Sequence, residues 1–221
     1  MFDIVSGLIP AAIGVALSPA ALIELILVLF SKRARLNGLV FVATLMVSIF
    51  TVAAIGAFAM KVTTDDSTDQ PSTAKGIVLL VLGVLALVIA WRNWTRRTDT
   101  SVPKMFDTIA NMGPGAVFVL AVGAVPLNPK NLVMVLAAGA QAAASGEPTA
   151  TVVIALVVFT LLAASPFLVA IGYVLIAGDG ALERLGTVRD WLMSHNRLIM
   201  AIVLGVLGLV IVGQGWAAVA G

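Results

Sequence analysis

The chain has no cysteine among its 221 residues. That excludes a disulfide scaffold, thiol redox chemistry and thiolate metal sites. There is one histidine, His195, so a zinc site of three or four ligands lacks an evident donor set. Charge is also scarce. Asp, Glu, Lys and Arg make up 11% of the residues, against about 25% in an ordinary soluble domain. No basic patch holds more than four cations, so nucleic acid is not an expected partner. Sequence signatures of catalysis are missing: there is no nucleophile elbow and no paired-carboxylate motif. Gly113-Pro114-Gly115 opens an apolar segment, but no phosphate-loop lysine and serine follow it. The chain is therefore expected not to be an enzyme and to need neither cofactor nor metal. Met1-Phe2-Asp3-Ile4 lacks the basic region of a cleaved signal peptide, so the first apolar segment is expected to remain as a helix.

What is abundant is apolar. Hydrophobic residues make up 61% of the chain, and the mean hydropathy is +1.11. Six apolar segments are long enough to span a bilayer, roughly 4–30, 39–60, 76–92, 113–144, 149–177 and 197–219. The loops between them alternate in charge. The first carries Lys32, Arg33 and Arg35, the third Arg92, Arg96, Arg97 and Lys104, and the fifth Arg184, Arg189 and Arg197. The second carries Asp65, Asp66 and Asp69, and the fourth Glu147 without a cation. The positive-inside rule then puts the odd loops in the cytoplasm and both termini outside. In the fifth loop Leu182, Leu185, Val188 and Leu192 recur at helical spacing, which predicts a short amphipathic helix on the cytoplasmic surface.

Three spans on each side of the third loop form two halves, and an odd number requires the second half to enter from the opposite face. Residues 82–94 and 204–216 share eight of thirteen positions, at an offset of 122 (204 − 82). The predicted fold is thus an all-α integral membrane protein with six transmembrane helices in two inverted three-helix repeats. The first repeat covers 1–94, a cytoplasmic linker 95–112, and the second repeat 113–221.

The first span of each half is interrupted by proline. In Leu127-Asn128-Pro129-Lys130-Asn131-Leu132, Pro126 and Pro129 have no N–H, so the carbonyls of Val122 and Val125 are expected to go unpaired. Leu17-Ser18-Pro19-Ala20-Ala21-Leu22 is the fainter counterpart, 110 positions earlier (129 − 19). A pair of broken apolar segments in corresponding halves points to a transporter's substrate site. Asn128 and Asn131 are three apart and share a helix face. They either line a polar cavity or, with the prolines, serve only to kink and cap. Lys130 lies about 200° from Asn128 around the helix. It either meets an anionic head group or titrates during transport, or else forms a structural ion pair. Glu24 is the only acid deep inside a span. It is a candidate for proton coupling and for pairing with Lys130, or it snorkels toward Lys32. Ser18 stands where the second half has Asn128; its hydroxyl can also bond back to its own helix. Ser165-Pro166 is expected to break the fifth span and free the carbonyl of Leu162, which suits a gate or hinge, as Pro126 does. Thr44, Ser48 and Thr51 recur at helical spacing as helix–helix contacts, while Gly205, Gly208, Gly213 and Gly215 suit close packing. Trp91, Trp94 and Trp216 suit belt anchors, and His195 a solvated position.

These residues together resemble a known family. Two inverted triplets with an Asn-Pro-Lys broken helix opening the second half are similar to the LysE superfamily of exporters. The closer likeness is to its Sap/GAP branch, the sulfolipid- and glycopeptidolipid-addressing proteins. It rests on Leu17-Ser18-Pro19 running into Ser31-Lys32-Arg33-Ala34-Arg35 and Gly38, on Leu127 to Leu132 followed by Ala137-Ala138-Gly139, and on the linker from Pro103 to Ile109. The amino-acid exporters of the superfamily usually carry Pro-Gly-Pro where this chain has Ser18-Pro19-Ala20. The paired cysteines of its disulfide-reductase relatives are absent. The resemblance implies a plasma-membrane, multi-pass protein that helps move an envelope glycolipid or its precursor. Asn128, Pro129, Lys130, Asn131, Ser18, Pro19 and Glu24 would be its transport residues. Implied partners are a membrane lipid or glycolipid, a larger lipid exporter, and a second copy of the chain. The alternatives left open are a small-molecule, amino-acid or ion exporter and a non-transporting accessory to lipid export or modification.

Overall fold

The structure is a computed structural model, which describes residues 2–65, 72–97 and 112–220. Most of the linker, including the stretch from Pro103 to Ile109, and the acids Asp66 and Asp69 lie outside the described residues. All regular structure among the described residues is helical: α1 (Phe2–Ala16), α2 (Pro19–Leu29), α3 (Ala34–Asp65), α4 (Ser72–Thr95), α5 (Pro114–Gly123), α6 (Pro129–Ala143), α7 (Thr149–Ala177) and α8 (Asp179–Ala220).

By length and composition α3, α7 and α8 can each cross a membrane, and α1 with α2 can cross as one span bent by 56°. These apolar helices mark a membrane protein. Their outward faces agree: Ile176 is 89% exposed and Trp91 70%. Such a surface is stable in lipid and not in water. Buried among the helices are Phe41, Phe159 and Phe167.

The two proline breaks are built alike. The last bond of α1 runs from Leu17 N–H to the Ile13 carbonyl at 2.8 Å, and α2 restarts with Leu22 N–H to Ser18 at 3.1 Å. At the corresponding positions, Leu127 N–H donates to Gly123 at 2.9 Å and Leu132 N–H to Asn128 at 2.9 Å. Ser18 and Asn128 are both extended, at φ/ψ of −102°/94° and −96°/105°. Each is followed by a proline at the first helical position, where no N–H is needed.

Backbone-close contacts hold the bundle. α4 and α8 pack antiparallel: a Cβ on Gly83 would lie 2.8 Å from Val212 N, and one on Gly215 2.7 Å from Leu80 N. Gly139 of α6 meets α3 so closely that a Cβ there would fall on the Ala53 carbonyl. Gly56 of α3 meets the Leu136 carbonyl in the same way. Gly205 and Gly213, in contrast to the sequence reading, have open space where a Cβ would stand.

Three further expectations are corrected. The segment with Leu182, Leu185, Val188 and Leu192 is not a separate surface helix. It is the start of the 42-residue α8, because no proline or positive-φ glycine interrupts the chain after Gly178. Leu185 and Leu192 are buried, but Val188 is exposed. Pro166 does not break its span: α7 runs through it, and the Leu162 carbonyl accepts the Ser165 hydroxyl at 2.8 Å. Nor do the carbonyls of Val122 and Val125 go unpaired. Val122 accepts the Ser48 hydroxyl of α3 at 3.1 Å. Val125 accepts the Asn128 N–H at 3.3 Å, which closes the turn before α6. A broken helix inside a bundle is tolerated when neighbouring side chains satisfy the freed groups in this way.

Candidate functional site

The two breaks meet. Asn128 Nδ2 donates to Ser18 Oγ at 3.5 Å, and Asn131 Nδ2 donates to the same oxygen at 3.3 Å. Ser18 is 0% exposed, and it makes no cap to its own helix. Its hydroxyl faces the other half of the chain instead of bonding back. Asn128 caps α6 in the ordinary way: its Oδ1 accepts from Lys130 N–H at 3.2 Å and Asn131 N–H at 3.4 Å. Asn131 Nδ2 also reaches the Ala124 carbonyl at 3.4 Å. Its own Oδ1 is buried and has no partner.

Lys130 leaves the helix on a different face from the asparagines. Its ammonium donates to the Gly14 carbonyl at 2.6 Å and to the Leu17 carbonyl at 3.2 Å. Proline ends α1 here, so its last carbonyls lack helical partners and carry the negative end of the helix dipole. A buried ammonium is the natural complement. Lys130 is 1% exposed and fully enclosed. Glu24 is not its partner: the carboxylate oxygen Oε2 of Glu24 is buried without a hydrogen bond. The expected Glu24–Lys130 pair is absent because the α1 terminus takes the ammonium first.

The N-termini of α2 and α6 thus converge at Ser18 and Asn128 with the positive ends of their dipoles, and a lysine lies alongside. Pro129 and Lys130 line a slot closed by Ala86, Ile89, Leu204 and Leu207. Its free volume is about 10 Å³, about the room that one water molecule needs. The junction thus gathers amide groups, a hydroxyl and an ammonium beside an apolar wall.

Of the other sequence-predicted residues, Pro19 is buried at the start of α2, while Pro126 is exposed in the turn between α5 and α6. Ser165 and Pro166 lie on α7, where Ser165 is exposed and serves its own helix. His195 stacks on Trp191 with ring centroids 4.7 Å apart. Sequence reasoning missed Asn37. This residue is 0% exposed, and its Nδ2 donates to Ser31 Oγ at 2.8 Å and to the Met112 carbonyl at 3.1 Å. It ties the first loop to Met112, two residues before α5. An amide in the first turn of an apolar helix was the available signal. Among the described residues no group of three or more His, Asp or Glu side chains could hold a metal ion.

No curated protein and no solved structure matches the chain at a significant level. The model of one protein family does match, over residues 8–217, and its description is Sap, sulfolipid-1-addressing protein. That match spans both breaks and nearly every helix, so the chain belongs to the Sap family of sulfolipid-1-addressing proteins.

Proposed function

We propose that the protein moves an envelope lipid or glycolipid, or its precursor, across the plasma membrane by alternating access around the two broken helices. Six passes in two inverted three-helix repeats, of the LysE type, carry this motion, with both termini outside. The two halves are residues 1–94 and 113–221, and the linker 95–112 is cytoplasmic. The protein is a carrier and not an enzyme. The observation that carries the reading is the junction itself: Asn128 and Asn131 of one break bond to Ser18 of the other. Two breaks that merely kinked their helices would have no reason to converge on one hydroxyl. Family membership supplies the substrate class, since the family is described by sulfolipid addressing. Lys130 and the helix N-termini suit an acidic or hydroxyl-rich head group, and Pro126 supplies the hinge beside α6.

The test is surface delivery of the envelope lipid in cells, normalised to folded protein, for Asn128→Ala and Lys130→Ala. An unpaired buried group costs about 1–3 kcal/mol. Delivery is therefore expected to fall by about tenfold or more. Wild-type delivery by both variants would reduce the junction to a structural kink.

One observation favours a second reading, an accessory protein that assists a larger lipid exporter: the slot beside Lys130 has a free volume of only about 10 Å³. The purified protein in lipid vesicles separates the two. A carrier flips labelled lipid unaided, whereas an accessory protein does so only with its partner.

A further inference from the structure

Glu24 is an acid placed inside α2, whereas the acids within α8, Glu183 and Asp190, are exposed. It lies in α2, five residues past Pro19, on the half-helix that must swing if the break is a hinge. Its Oε2 is buried with no hydrogen-bond partner, yet the residue as a whole keeps part of its surface exposed. The intramembrane cation that could neutralise it, Lys130, is committed to the Gly14 and Leu17 carbonyls.

α2 packs on α3, α7 and α8. The charged and titratable groups these helices bring are engaged elsewhere or unbonded to Glu24. Arg189 pairs with Asp190 at 2.8 Å and lies over Phe30. His195 is held by Ser194 and Trp191. Arg35 of α3 and Glu183 and Arg184 of α8 are exposed, and Tyr173 of α7 is not bonded to Glu24, whose Oε2 has no partner. A carboxylate in an apolar bundle without a counter-charge is costly. A proton removes the charge and leaves a neutral group that the bundle accepts. The partial exposure leaves the carboxyl within reach of a reagent dissolved in the lipid.

We propose that Glu24 is a proton-binding site of the bundle. The step is carboxylate plus proton to carboxylic acid, with no other bond made or broken. Coupling to lipid movement rests on the transport reading above; the proton site does not.

Dicyclohexylcarbodiimide, which partitions into membranes and attacks protonated carboxyls, tests the proposal on the full-length protein in phosphatidylglycerol–phosphatidylethanolamine vesicles. Mass spectrometry of the peptides is expected to find the adduct on Glu24, several-fold more at mildly acidic than at alkaline pH, and none there in Glu24→Gln. A water-soluble carbodiimide with an amine should instead label exposed Glu183 and spare Glu24. Labelling of Glu24 by the water-soluble reagent would show a solvated carboxylate and overturn the proposal. So would wild-type protein, verified as folded, that takes neither reagent at Glu24. The labelling needs no substrate. Its failure therefore leaves the transport reading intact, and loss of the lipid-delivery effect leaves the proton site intact.

Discussion

Replacing Asn131 by leucine separates a functional junction from a structural one. The wild-type side chain donates to Ser18 Oγ at 3.3 Å and to the Ala124 carbonyl at 3.4 Å, both long bonds. A side-chain hydrogen bond inside a membrane protein is worth about 0.6 kcal/mol on average. Losing two costs about 1 kcal/mol. The Ala124 carbonyl would then lack a donor, which costs about 1–3 kcal/mol. That penalty is offset, because Asn131 Oδ1 already sits buried without a partner and leucine removes it. One orphan replaces another, and the net destabilisation is about 1 kcal/mol, or roughly fivefold in the unfolding constant. Ser18 keeps its bond from Asn128. The assay is reversible unfolding of the purified protein in bicelles, run beside lipid delivery in cells. The expected result is a folded protein near wild-type stability with delivery reduced about tenfold. A loss of several kcal/mol, with normal delivery per folded molecule, would refute the reasoning and make Asn131 a structural cap.

Other perturbations test the packing and the topology. Gly139→Ala places a methyl on the Ala53 carbonyl and within 3.0 Å of Ala57 N. Since those are backbone atoms, α3 and α6 must part, at a cost of about 1–3 kcal/mol, read by the same unfolding assay. Gly205→Ala, where nothing lies within 4 Å, should change stability by less than about 0.5 kcal/mol. Ser165→Ala strips the Leu162 carbonyl of its donor. It is expected to cost about 1 kcal/mol, and a cost near zero would mean that water or lipid head groups reach that carbonyl. In intact cells, a cysteine at Glu147 should react with an impermeant maleimide and one at Arg33 should not; the reverse pattern would invert the topology.

The sequence carried the breaks better than the spans. Proline and asparagine act locally, so Ser18-Pro19 and Asn128-Pro129 announced where the helices stop and restart, and both restarts fall at those residues. Lys130 and the asparagines could be placed on separate faces by periodicity alone, and they do reach different partners. The partners themselves were not legible. That Lys130 would choose the end of α1 over Glu24 depends on a contact 116 positions away in the chain. The fate of the freed carbonyls was likewise tertiary: Ser48 comes from another helix to serve Val122. Pro166 misled because a serine directly before it serves the carbonyl that the proline frees. The amphipathic stripe after Gly178 was correctly helical. Its continuity with the last helix was hidden, because polar Ser194, His195 and Asn196 read as a loop although they are compatible with a helix.

The most direct measurement uses the absence of native cysteine. Ser18→Cys with Asn128→Cys puts two thiols where side-chain atoms now stand 3.5 Å apart. A short thiol-bridging reagent is then applied to membranes, and both the intramolecular cross-link and lipid delivery are read, before and after reduction. Rapid cross-linking is expected, with delivery abolished in the bridged protein and recovered on reduction to the level of the unbridged double variant. Failure to cross-link would mean that the two breaks do not meet, and full delivery by the bridged protein would mean that the junction does not open during transport.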